Sequence, residues 1–427
     1  MKWRKRRKRR RWLPRLRPFA GRRLPRRLRA ENVSRLAAEL PEGLYDSGFE
    51  DLLTRIETSP VLSGNRANVY TDGSEAFASM LEAIDAAAKE VLLEAYIFRD
   101  DATGVAFRDA LLRASGRGVT VRVLADSFGS LETREEFWAS LRTRNVEVRF
   151  FHPLLARFWD WAFRDHRKIL VVDRRVGFTG GMNIGVEYGS SRRRHRRTAG
   201  RTWRDTQVRV EGPTAWEMAV VFGEGWVRAG GAPLDLPPLT AEDKPGARIL
   251  TLDTRPGRGT DELVSILNAV LAATRKRLWI TNAYFAPKQR AIERLSAAVE
   301  LGVDVRLLLP CMSDVPLIRH AAHGYYAALL EGGVRIFEYE AAILHAKTLL
   351  ADDLISVVGS TNLDYRSFHL NAECNLVILD EKTASALARA FESDLSHSRE
   401  ITAEQWQARA FRHMLGDQLA RCLAPVL

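Results

Sequence analysis

Cysteine is close to absent. Cys311, Cys374 and Cys422 are the whole complement of 427 residues, and they are odd in number, far apart and in no CxxC arrangement. That argues against a disulfide framework or a cysteine-rich zinc site and suits a reducing compartment. Long apolar runs are missing too: no stretch reaches 18 apolar residues, so a membrane-spanning helix is not expected. Acidic residues are missing from residues 1–30, which carry 16 Lys and Arg. No apolar segment with a small-residue cleavage site follows, which argues against a secretory or twin-arginine signal; an Arg-rich transit peptide remains compatible with the composition.

That basic tail sets the sign of the chain. With 65 basic and 53 acidic residues the net charge is +12, but residues 31–427 hold 49 basic against 53 acidic, a body of −4. Such a body is not a nucleic-acid footprint over its whole surface, although local patches stay open. Trp3, Trp12, Leu13, Leu16 and Phe19 are interspersed among the cations. The composition suits a solvated tail, and equally a segment that docks on an anionic membrane with its cations at the headgroups.

The body carries an internal repeat. Helical spacing at Phe77, Met80, Leu81, Ile84 and Ala88 leads into Val91–Tyr96; spacing at Leu263, Ile266, Leu267 and Val270 leads into Leu278–Tyr284. Gly118–Leu124 resembles Gly302–Leu308, and Val148–Phe151 resembles Val334–Phe337. Helical windows alternate with short β-branched runs in each half, which predicts an α/β fold of helices packed on a sheet. Breaker density is high over 230–246. The expected organisation is a basic tail over 1–40, a first repeat over 41–229, a linker over 230–246, a second repeat over 247–400 and an amphipathic C-terminal helix over 401–427.

Both repeats end in one polar pattern. His166, Lys168 and Asp173 form HxKxxxxD, followed by Gly180 and Asn183 as GxxN; His345, Lys347 and Asp352 repeat it, followed by Gly359, Ser360 and Asn362. By composition, roughly one chain in a hundred would carry a single HxKxxxxD by accident, so two in register are not coincidence. The chain has 10 Lys against 55 Arg, yet both copies use Lys, so a compact ammonium is wanted there. Residues i and i+2 of an extended segment share a face, so each His projects with its Lys. If the halves pack about a pseudo-twofold axis, two imidazoles, two ammoniums and two Asn amides surround one tetrahedral anionic centre. That set suits phosphoryl transfer: one His attacks phosphorus, the other protonates the leaving oxygen, and no carboxylate cluster is needed to hold a divalent metal.

The duplicated motif resembles the signature of the phospholipase D superfamily, over most of 60–400. Finer features are similar to bacterial cardiolipin synthases without transmembrane helices: Glu94–Asp101, Gly180–Tyr188, Trp203–Thr206, Asn282–Pro287 and Asn362–Glu373. The resemblance implies two tandem repeats about a pseudo-twofold axis with one shared active site, a covalent phosphohistidine intermediate and no cofactor or metal. It implies His166 as nucleophile and His345 as general acid, then base. It also implies an acid after each motif that orients the opposite histidine, which gives Glu373 for His166 and Asp205 for His345. Lys168, Lys347, Asn183, Asn362 and Ser360 are expected on the phosphate, and Asp173 and Asp352, although members of the motif, are expected to support its geometry. Gly181 departs from the common GSxxN form, so one hydroxyl is absent from the first half.

The implied activity is transphosphatidylation between two phosphatidylglycerol molecules to give cardiolipin and glycerol. Rivals are a phospholipase D that releases phosphatidic acid, a metal-independent nuclease and, more remotely, a lipid-binding module. The expected partners are phosphatidylglycerol and other phospholipids, and an anionic membrane surface met by the tail; nucleic acid is not expected. The expected location is peripheral, on the cytoplasmic face of the cell membrane. Weaker signals have two readings each. Ser191–Arg197 with Arg201 and Arg204 is a solvated loop or an anion funnel. Leu154, Leu155, Phe158, Trp159, Trp161 and Phe163 are core or a lipid-facing rim, and Tyr96 and Tyr284 are core or flank the cleft. His320 and His323, with no partner motif, read as structural.

Overall fold

The computed structural model describes residues 29–56, 59–151, 162–189, 202–239, 244–257, 259–409 and 411–423. The sequence repeat folds as two copies of one sheet. In the first half, β1 (Val61–Tyr70), β2 (Glu90–Ala95), β3 (Thr120–Asp126), β4 (Glu147–Phe151), β5 (Ile169–Val172), β6 (Val176–Gly180) and β7 (Gln207–Glu211) lie in the order β4-β3-β2-β5-β6-β7-β1. In the second, β8 (Ala247–Thr254), β9 (Arg277–Asn282), β10 (Asp304–Pro310), β11 (Arg335–Tyr339), β12 (Lys347–Ala351), β13 (Ile355–Gly359) and β14 (Asn371–Leu379) run β8-β14-β13-β12-β9-β10-β11. Strand for strand the orders are the same. The halves join through antiparallel pairing of β1 with β8, with Val61 opposite Leu250, so one pseudo-twofold relates them. A further strand, β15 (Ser398–Ile401), extends the second half at its outer edge.

Helices cover both faces, which is why the inner strands are apolar on both sides. The helix Thr214–Arg228 lies across the seam. Its Met218, Phe222 and Trp226 are fully buried against Ile169 and Val210 of one half and Ile249, Leu376 and Ile378 of the other. Each such side chain contributes about 1.5–3 kcal/mol by leaving water, so the halves share one core. No helix of the described residues is long and apolar enough to cross a membrane.

Two expected boundaries differ from the structure. Residues 29–40 do not belong to a tail: Arg29–Ala38 is helical, and Val33 and Ala37 are fully buried. With Phe49, Leu53 and Ile56 of the next helix they enter the core of the second half, not the first. The apolar spacing Val33, Leu36, Ala37, Leu40 explains this, since it is the helical stripe hidden behind the arginines that precede it. Residues 1–28 lie outside the described residues. At the other end, the helix Phe411–Leu423 is preceded by β15 and a short helix, Ala403–Gln407, and packs on the helix Pro316–Glu331.

The motif segments enter β5 and β12 where the parallel strands β2-β3-β4 and β9-β10-β11 end. Ile169 pairs with Glu94 at the end of β2, and Lys347 with Asn282 at the end of β9. The crevice beyond the carboxyl ends of parallel strands is where open α/β sheets place ligands. The motif aspartates sit at the other ends of β5 and β12, where each carboxylate gathers three backbone N–H groups. Asp173 accepts from Ala88, Lys89 and Glu90 at 2.7–2.8 Å, and Asp352 from Arg275, Lys276 and Arg277 at 2.8–3.1 Å. Both adopt positive φ, 51° and 50°, to turn the chain back into the next strand. They fix the start of β2 and β9 and do not face the crevice. Asp173→Ala is expected to cost about 1–2 kcal/mol, three charge-assisted bonds being lost, two of them exposed and one partly buried. Urea unfolding checks this; an unchanged midpoint would remove the aspartate from the framework.

Candidate active site

Each motif histidine is tied by its backbone to the opposite half. The short strand Arg164–Asp165 runs parallel to Asn371–Ala372, and His166 N–H donates to the Ala372 carbonyl at 2.9 Å. Symmetrically, Ile343–Leu344 runs parallel to Trp203–Arg204, and His345 N–H donates to the Arg204 carbonyl at 2.8 Å. These crossings bring the next residue of the opposite half beside each imidazole. Glu373 meets His166, with Oε2 2.9 Å and Oε1 3.1 Å from Nδ1. Asp205 meets His345, with Oδ2 2.7 Å from Nδ1. All four side chains are buried.

The lysines follow two residues after the histidines and fold back on them. Lys168 Nζ donates to the His166 carbonyl at 2.6 Å, and Lys347 Nζ to that of His345. Lys168 also lies 5.3 Å from the Tyr96 ring centre. Tyr96 packs edge-on to His166 at 5.0 Å, and its repeat partner Tyr284 stands 6.1 Å from His345. Trp203 and Tyr188 complete the wall around His345, at 4.8 and 5.8 Å. Both tyrosines at matched strand ends therefore flank the site.

Burial and crowding of cations set the charge states. Burial pulls His166 down to about 4; Lys168 and Lys347 add to this, and Glu373 opposes it. Burial and then Lys347 pull His345 down as well. Lys168 falls to about 7 through burial, with Lys347 adding to the fall, and burial also lowers Lys347. Burial alone would raise Glu373, but His166, Lys168 and a hydrogen bond from Ser360 outweigh it and keep it a carboxylate. A neutral imidazole whose Nδ1–H donates to a carboxylate has its lone pair on Nε2, the atom turned away from that carboxylate. Each half thus presents a nucleophile or base, and nearby ammoniums that gain from an anion.

The polar residues after the motifs are more committed than their sequence suggests. Ser360, expected on phosphate, gives its one hydroxyl proton to Glu373 Oε2 at 2.5 Å and accepts from Cys374 N–H. With that proton spent, Ser360 braces the carboxylate. Asn371 adds a second bond to Glu373 at 3.2 Å. Asn183 accepts from Ile97 N–H at 3.1 Å and donates to the Tyr188 hydroxyl at 2.7 Å. Asn362 keeps its Oδ1 buried without a hydrogen-bond partner, so it is the less committed of the pair.

Gly181 now has a reason. A Cβ there would stand 2.1 Å from Asp205 Oδ1, because the shorter acid occupies the space that Ser360 fills in the other half. The two halves hold their carboxylates differently: a long Glu against a serine hydroxyl, a short Asp against a glycine and the Thr206 N–H at 2.7 Å. Arg204, counted with the cationic loop, is instead bidentate on Asp394 at 2.9 and 2.7 Å and donates to the Asp205 carbonyl, so it supports Asp205 from behind. Residues 191–197, 201 and 154–161 lie outside the described residues.

One buried network escaped the sequence reading. Arg167, the variable residue of the first motif, is 2% exposed and pairs with Asp253 of the second half, with Glu94 3.6 Å away. Burial and then Asp165 push Glu94 well above the usual carboxylate range. Ala346 takes the matching place in the second motif, so this ion pair exists only behind His166. A second cation between His166 and Lys168, just ahead of the apolar Ile169–Val172, was its one signal.

Two halves of one α/β sheet, crossing over to complete each other's histidines, define a duplicated phospholipase D-type fold. Residues 80–191 and 267–395 match the family model described as cardiolipin synthase, PLD-like domain. A cardiolipin synthase of Halalkalibacterium halodurans is 32% identical over 387 residues, covering 88% of this chain and 75% of that protein. Cardiolipin synthase A of Pseudomonas aeruginosa is 34% identical over 388 residues, covering 89% and 78%. The crystal structure of phosphatidylserine synthase from Haemophilus influenzae Rd KW20 superposes with a TM-score of 0.69 over 93% of this chain and 97% of that one, at 15% identity, a likeness of fold. The chain belongs to the phospholipase D-like cardiolipin synthase family.

The glycine geometry yields a test against the usual family form. Gly181→Ser restores the GSxxN pattern, yet its Cβ displaces Asp205 from His345. We expect at least a tenfold fall in kcat with a modest fall in the unfolding midpoint that leaves the protein folded at the assay temperature; wild-type turnover would show that Asp205 does not need this space.

Proposed function

We propose that this protein makes cardiolipin by transphosphatidylation between two phosphatidylglycerol molecules. The observation that carries the proposal is the pair of buried imidazoles, each with Nδ1 on a carboxylate of the opposite half and ammoniums beside it. Family membership supports the choice of substrate.

His166 is the nucleophile in this reading. Its low proton affinity leaves the Nε2 lone pair free at neutral pH. Nε2 attacks phosphorus, the P–O bond to the headgroup glycerol breaks, and that oxygen takes a proton from His345 Nε2. His345 holds this proton once an anionic phosphodiester is bound, because the added negative charge offsets the burial and the Lys347 repulsion that depress it. In the second step neutral His345 takes the proton of a hydroxyl on a second phosphatidylglycerol. That oxygen attacks phosphorus, the P–N bond breaks, and cardiolipin forms. One phosphodiester replaces another, so no nucleotide is needed.

Lys168 and Lys347 neutralise the phosphate oxygens, assisted by Asn362 and by the remaining amide proton of Asn183. Glu373 and Asp205 hold the tautomers and stabilise each imidazolium as it forms. Water must be excluded between the steps, or hydrolysis replaces transfer. The proposal places the enzyme peripherally on the cytoplasmic face of the membrane, with the 15 cations of residues 1–28 on anionic lipid, each worth about 1 kcal/mol near the surface.

The test is incubation of purified protein with labelled phosphatidylglycerol, followed by lipid analysis. Cardiolipin and glycerol in equal amounts are expected from wild type, and at least a thousandfold less from His166→Ala or His345→Ala. Phosphatidic acid alone would make the enzyme a hydrolase, and cleavage of DNA without lipid turnover a nuclease.

A further inference from the structure

A second cluster of histidine and carboxylate joins the C-terminal helix to the second half. His320 and His323 lie three residues apart on the helix Pro316–Glu331 and therefore share a face. Asp417, on the helix Phe411–Leu423, is buried against them. His320 Nδ1 stands 2.9 Å from Asp417 Oδ1, and His323 Nδ1 stands 3.6 Å from the same oxygen. Two imidazole nitrogens thus converge on one carboxylate oxygen, and candidate donor atoms of the three residues all fall within 4.8 Å of one another.

We infer that His320, His323 and Asp417 form a zinc site that fastens the C-terminal helix to the body. Donor atoms about 2.0–2.1 Å from a tetrahedral zinc stand roughly 3.3–3.4 Å apart, and the two observed separations straddle that edge. The longer one exceeds hydrogen-bond range, so His320 is hydrogen-bonded to Asp417 whereas His323 Nδ1 faces the same oxygen without a hydrogen bond to it. The surroundings have the form of an outer metal shell. His323 turns its other nitrogen, Nε2, to Glu338 Oε1 at 3.0 Å, the carboxylate–histidine arrangement that fixes a ligating imidazole. Arg409 donates to Asp417 Oδ2 at 2.8 Å, holding the far oxygen and leaving Oδ1 to face the histidines. Two imidazoles and one carboxylate suit zinc among the common divalent ions, since magnesium and calcium prefer all-oxygen sets. The His320 side chain is 47% exposed, which gives an ion a path in and leaves the fourth position to water.

Zinc binding to the full-length, metal-stripped chain tests this. Titration followed by calorimetry is expected to show one zinc per chain, and zinc to raise the thermal unfolding midpoint. His320→Ala should weaken binding at least tenfold and abolish the rise, while its midpoint without zinc stays near that of wild type. His320→Gln keeps a donor for Asp417 but is a poor zinc ligand, and it should behave as His320→Ala does. No saturable binding, or equal binding by wild type and both variants, overturns the inference; equal binding would put the ion elsewhere, for example between His166 and His345.

Discussion

Each motif imidazole depends on a carboxylate that its own half does not supply. Glu373 comes to His166, and Asp205 to His345, along short parallel strand pairings that cross the seam. Because the backbone pairing that delivers the carboxylate also holds the histidine, orientation is a property of the interface between halves. This explains why the seam is built as a continuous core under the helix Thr214–Arg228 and not as a hinge. A shift of an ångström along β1 and β8 would loosen both histidines together, and such misplacement is costly for in-line chemistry.

The symmetry is deliberately incomplete in its supports. Glu373 rests on Ser360 and Asn371, whereas Asp205 rests on the Thr206 N–H in the space left by Gly181. Behind His166 lies the Arg167–Asp253 pair with Glu94 close by; behind His345 the matching residue is Ala346. Identical histidines thus occupy unlike settings, which suits the proposed division into one nucleophile and one proton carrier. Two lysines share one buried site, and burial, with repulsion from Lys347 adding to it, lowers the affinity of Lys168 for its own proton. An entering phosphodiester relieves that repulsion, so part of substrate binding is stored in the folded protein.

Much of this was legible in the sequence because the chain repeats itself. The duplicated HxKxxxxD and GxxN, matched apolar windows and matched strands announced two α/β halves, and the i, i+2 spacing placed each Lys with its His. What the sequence withheld was partnership across distance. Ser360 reads as a phosphate ligand until Glu373, thirteen residues on, is seen to take its proton. Gly181 reads as a lost serine until the shorter Asp205 is seen to need its volume. The arginine-rich start masked an ordinary amphipathic helix, because charge runs dominate composition while burial is decided by the stripe of Val33, Leu36, Ala37 and Leu40. His320 and His323 looked solitary because Asp417 lies almost a hundred residues away in sequence.

The most direct measurement is rapid acid-free quenching of the wild-type enzyme with phosphatidylglycerol, followed by mass mapping of the lipid–protein adduct, alongside the Glu373→Ala variant. The account predicts a phosphatidyl group on His166 in wild type and its near absence in the variant, since the carboxylate from the other half sets that imidazole for attack. An adduct on His345, or one that forms on His166 at the wild-type rate without Glu373, would contradict it.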